Sequence, residues 1–191
     1  MATSASSSSF SSSTVTGRAV GTAAVWGALA GVAASMVMAA YAMIAAATYQ
    51  STGFFTPLYH IATTFIAPDT MMTSMERAGE GSLFYFSFGP AVLGAVIHMM
   101  VGAMYGALFG VIARVAKLHS LAVLTVAGMV WGLIVFAVSA WIGLPIAAAL
   151  FGGGDPVSDM ASMVGYPTFL VEHLLFGGAL GMMLGWRASR K

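Results

Sequence analysis

The sequence has no cysteine. That excludes disulfides, thiolate nucleophiles, cysteine-type zinc sites and the C-x-x-C-H haem attachment. Charge is nearly as scarce. Seven Lys and Arg and six Asp and Glu make up 7% of 191 residues, where a soluble domain carries about a quarter. So few ionic groups cannot give a globule of this size a solvated shell. With 59% hydrophobic residues and a mean hydropathy of +0.91, the chain is not a soluble enzyme, a nucleic-acid binder, a coiled coil or a disordered protein. Its surface must face lipid, so the bilayer is the first expected partner and nucleic acid is not one.

Residues 1–18 are mostly Ser, Thr and Ala. They have nothing to bury and read as a disordered cytoplasmic tail. Ala19 to Ala47 then carries no charge. A bilayer core needs about 20 residues of helix, so a first span is expected at about 20–47. A cleavable signal peptide would need an apolar stretch of only about 7–15 residues, so a retained anchor is favoured. Further uncharged runs predict spans at about 90–113, 121–144 and 166–186, the third ending at Pro145. A basic tail, residues 188–191, follows the fourth.

Residues 50–82 form the first external interval. Within it, residues 57–66 lie between two prolines, with Pro57 and Thr56 as helix-start signals. The run is too short to span, and Phe54, Phe55, Tyr59 and Phe65 suit the membrane–water interface. A short interfacial helix is expected there, with His60 facing solvent. The Gly152-Gly153-Gly154-Asp155-Pro156 stretch reads as a turn-rich loop.

With four spans, Arg18, Arg114, Lys117, Arg187, Arg190 and Lys191 fall on one side, and Arg77 alone on the other. This bias places both termini in the cytoplasm, with a bacterial inner membrane as the expected location. The acidic loops face outward.

The second and fourth spans share a pattern. His98, Gly102, Gly106 and Gly110 are spaced by four, as are His173, Gly177, Gly181 and Gly185. The first and third spans share Val25-Trp26-Gly27 and Val130-Trp131-Gly132. The expected fold is therefore an all-α integral membrane protein of four transmembrane helices, built as two tandem hairpins. Two spans per half make this a parallel repeat, related by an axis along the membrane normal. A spacing of four sets each His and its glycines on one stripe.

Two readings of these stripes stand side by side. In the first, Gly102, Gly106, Gly110, Gly177, Gly181 and Gly185 are packing residues, since small side chains let backbones approach in lipid. Each His then bonds a carbonyl or a neighbour. In the second, His98 and His173 are axial ligands of a tetrapyrrole, a b-type haem or a chlorophyll, with Gly102 and Gly177 making room for the macrocycle. No metal can be assigned from the sequence, and a three-His zinc site is not expected. Glu172 is the one acidic residue inside a predicted span, a functional candidate by default. It could pair with His98 or carry a proton, or sit high enough to be reached by water.

The Gly53-Phe54-Phe55-Thr56-Pro57-Leu58 stretch and the His-x-x-x-Gly stripes resemble those of small uncharacterised four-span bacterial integral membrane proteins. That resemblance implies the fold and no activity. The sequence alone points to a non-catalytic accessory or scaffold subunit, associated with other membrane subunits or with its own copies. A haem- or pigment-binding electron-transfer subunit and a small transporter are the alternatives.

Overall fold

Four helices are long and apolar enough to cross a membrane: Gly17–Ala47, Phe88–Val115, Leu121–Phe151 and Tyr166–Ala188. The computed structural model describes residues 11–190, with side chains from residue 17. Among the described residues every regular element is helical. Large apolar side chains such as Leu29, Ile44, Val126, Leu133 and Trp141 are exposed on the outer faces, which in lipid requires no covering.

The first long helix, α1, runs Ser11–Ala47. It thus begins within the stretch expected to be a disordered tail; residues 1–10 of that stretch lie outside the described residues. Once a helix is nucleated, each added residue gains a hydrogen bond, so an apolar helix extends readily into polar neighbours. Next come α2 (Thr56–Ala62), α3 (Asp69–Gly79) and the second long helix α4 (Phe88–Val115). Thr56 is the first residue of α2 rather than its cap. Its hydroxyl donates to the Thr52 carbonyl at 2.6 Å and lies 2.8 Å from Ser74 Oγ of α3.

The third span does not end at Pro145. Helix α5 (Leu121–Val138) passes into a π turn at Ser139–Gly143 and continues as α6 (Leu144–Phe151). A proline ring clashes with the carbonyl four residues before it. The wider π turn just upstream gives the chain room, so the helix passes the proline instead of stopping. The expected glycine-rich loop is folded in part: α7 (Gly154–Ser158) and α8 (Met160–Val164) lead into the fourth long helix, α9 (Tyr166–Ala188).

Helix α1 packs along α4, α5 packs along α9, and α1 also lies against α9. Helices α4 and α5 hardly touch, although they are consecutive long helices. Backbones meet where the glycines are. A Cβ on Gly27 would strike the Gly106 carbonyl, and one on Gly31 the Gly102 carbonyl. In the other pair, a Cβ on Gly128 would strike the Gly177 carbonyl, and one on Gly181 the Leu124 carbonyl. At one end of the molecule the Arg187 guanidinium stacks 3.4 Å above the Trp26 ring, tying α9 to α1.

Helix α2 sits against α4, where Gly94 leaves room for the Leu58 carbonyl. Several contacts join the connector after α1 to the end of α6, to α8 and to the start of α9. Gln50 Nε2 donates to the Val164 carbonyl at 2.7 Å. The Tyr49 and Thr168 hydroxyls are 3.0 Å apart, and the Phe65 and Phe151 rings are 4.8 Å apart. The two helix pairs are thus held together at this end by their connectors.

Candidate functional site

Where α4 and α5 fail to meet, a cavity of about 610 Å³ lies inside the bundle. Ligand pockets typically measure about 300–1,000 Å³. Its wall is mostly apolar and draws on α1, α2, α4, the α5–α6 helix and α9. Met100 and Met104 of α4 line it and are also well exposed, so it opens sideways between α4 and the α5–α6 helix. Its end wall carries Leu58, His60 and Ile61 of α2 with Val157 of α7.

His98, His173 and Glu172 all line this one cavity, and so does Gly102, whereas Gly177 lies behind it against Gly128. Residues Phe169, Glu172, His173 and Phe176 of α9 are all on its wall. Their spacing is the i, i+3, i+4, i+7 repeat of one helix face.

Each histidine is held by a backbone carbonyl. His98 Nε2–H donates to Ser35 O of α1 at 2.9 Å. His173 Nδ1–H donates to Phe169 O on its own helix at 2.7 Å, in contact with the Phe136 and Phe169 rings. The two rings therefore retain different nitrogens. His173 keeps Nε2, the atom an axial ligand uses when its Nδ1–H is held by a carbonyl. His98 keeps Nδ1, the atom beside its own backbone. A matched pair of axial ligands is not what these two rings offer. Among the described residues no group of three His, Asp or Glu side chains is placed to hold a metal ion.

Glu172 is 5% exposed. It faces the cavity. Among the described residues no hydrogen bond reaches its carboxyl group, and none links it to His98 or His173. Its oxygens keep access to the cavity: among the described residues the fully buried side-chain polar atom without a partner is Trp131 Nε1.

His60 also departs from expectation. It is 5% exposed, not solvent-facing, and its Nε2–H donates to Pro156 O of α7 at 2.7 Å. Burial pushes its imidazole below the usual histidine range, opposed in part by the bond to that carbonyl. Its partner lies 96 positions away, which no local pattern announces. Gln50 was likewise missed. It is the chain's single Gln, and there is no Asn; a lone side-chain amide in so apolar a chain is the signal that could have found it.

A second, more open cleft of about 550 Å³ lies at the opposite end, lined by Arg114, His119 and Arg187. No protein family, curated protein or solved structure matches this chain.

Proposed function

We propose that this chain is a non-catalytic multi-pass membrane protein that holds a small, largely apolar molecule between its two helix pairs. The observation that carries this reading is the side-opening cavity, with a buried carboxyl and two carbonyl-held histidines on its wall. Packing alone would favour closing such a space, since an unfilled apolar cavity is destabilising. An accessory role in a larger membrane complex, or in an assembly of its own copies, is compatible with the exposed outer faces.

Gently purified protein should release a stoichiometric small molecule on extraction with organic solvent, read by mass spectrometry. Protein that yields nothing beyond bulk membrane lipid would count against the reading. The same sample tests the pigment alternative. A tetrapyrrole held by His173 gives a strong absorption band that His173→Ala removes, while a colourless sample leaves the histidines as cavity-wall residues.

The tandem-hairpin arrangement is part of the proposal. Gly31 meets Gly102 and Gly106 as Gly128 meets Gly177 and Gly181. Ser35 meets Gly102 much as Gly132 meets Gly177. This register makes Gly31 equivalent to Gly128 and Ser35 to Gly132. On this register the two Val-Trp-Gly tripeptides do not pair.

The orientation is proposed on charge, with both termini in the cytoplasm, the α2–α3 connector outside and a bacterial inner membrane as the location. Because the chain has no cysteine, Lys117→Cys provides a single label site. An impermeant thiol reagent should fail to reach it in intact cells and should label it after lysis. Labelling in intact cells would invert the topology.

A further inference from the structure

The hydrogen-bonding inventory of the cavity wall restricts what can occupy it. Several of its side-chain donors are engaged with backbone carbonyls, while the Tyr105 and Ser139 hydroxyls, also on the wall, make no hydrogen bond among the described residues. Ser35 donates to Val32 O, Gln50 to Val164 O, His60 to Pro156 O and Thr64 to Ile61 O. His98 and His173 donate to Ser35 O and Phe169 O. Beside those two hydroxyls the wall has acceptors left over: the second ring nitrogens of the histidines and the carboxyl oxygens of Glu172. No Lys or Arg lines the cavity, so the bundle itself offers Glu172 no counter-charge.

We propose that the occupant is a lipophilic amine, an apolar body bearing one ammonium head that binds at Glu172. This rests on the reading of the cavity as a small-molecule site and names the class of molecule. An ammonium supplies the positive charge that the wall lacks, together with N–H donors for its carboxyl acceptor. A charged group leaves water for an apolar site only when paired and hydrogen-bonded, and an ammonium–carboxylate contact meets that condition for both partners. Phe169 and Phe176 lie one turn to either side of Glu172 and also line the cavity, where aromatic rings favour a cation. The mostly apolar remainder of the wall takes the hydrocarbon.

Other classes fit less well. A quinone or another carbonyl-headed molecule could use the Tyr105 and Ser139 hydroxyls but would leave the Glu172 carboxyl without a partner. A fatty acid would set carboxylate against carboxylate. A polyamine would leave its further charges unpaired. A metal ion would need more ligands than one carboxyl group can provide.

Native mass spectrometry of the full chain, released from mild detergent, tests this with three probes of equal chain length: dodecylamine, 1-dodecanol and dodecanoic acid. The amine is expected to bind at least about tenfold more tightly than the alcohol, the scale of a hydrogen bond to a charged group. Dodecanoic acid is expected to bind least. Glu172→Gln should bring the amine down to the level of the alcohol. That the variant still binds 1-dodecanol, whose hydrocarbon the same apolar wall takes, shows its cavity to be intact. Equal binding of amine and alcohol by the unaltered chain, a preference for the acid, or an amine preference that survives Glu172→Gln would overturn the amine assignment while leaving the cavity reading standing. Failure of all three probes to bind would overturn both.

Discussion

Gly177→Ala is expected to destabilise the bundle by about 1–3 kcal/mol or more, while Gly178→Ala, one residue on, is expected to be neutral or to stabilise it. The added atom is the same and the helix is the same. On Gly177 the new Cβ would strike the Gly128 carbonyl and come within 2.8 Å of Gly132 N. These are backbone atoms of a partner helix, so relief requires moving α5 as a whole. On Gly178 the nearest atom is Met129 Cγ at 3.6 Å, ordinary contact with a flexible side chain. The second substitution also gains helix propensity, worth up to about 1 kcal/mol. Reversible unfolding of both variants in mixed micelles, followed by helical circular dichroism, reads the difference. Equal stability of the two would mean that α5 and α9 are not in backbone contact.

Glu172→Met is expected to move stability the other way. Met has a similar volume and suits an apolar wall. Removing a carboxyl that has no protein partner and only the cavity for access should raise stability by about 1 kcal/mol, the low end for an unpaired buried group, in the same unfolding measurement. A loss of stability would show that the carboxyl is paired inside the bundle. A gain would mean that the native chain retains a destabilising group, the usual mark of a residue kept for function rather than for folding.

The number of long helices was legible in the sequence because uncharged runs of this length have one common physical reading. The glycine stripes were legible as stripes, since a spacing of four defines a helix face. Their partners were not, because Gly27 and Gly31 could have met any neighbouring helix. The π turn at Ser139–Gly143 left no trace, as a segment apolar on all sides carries no phase from which a shift could be read. The burial of His60 depends on a carbonyl supplied by α7, and composition alone placed it at the surface. His98, His173 and Glu172 were legible as costly intramembrane groups. That they share one cavity depends on α4 and α5 standing apart, a property of the assembled bundle.

The sideways opening at Met100 and Met104 has a consequence for how affinity should be reckoned. A molecule entering there arrives from the hydrocarbon, so its relevant concentration is its mole fraction in lipid. Partitioning enriches an apolar compound in the bilayer before any protein contact is made, by about 0.8 kcal/mol for each buried methylene. Transfer from lipid into the cavity then gains little further from hydrophobicity, because hydrocarbon is exchanged for hydrocarbon. Occupancy becomes the product of two separable quantities: a partition coefficient set by the length of the apolar body, and a selectivity set by the polar head. Across a homologous series, apparent affinity measured from water should rise with chain length, while affinity referred to the membrane phase should stay nearly flat until the chain outgrows the cavity.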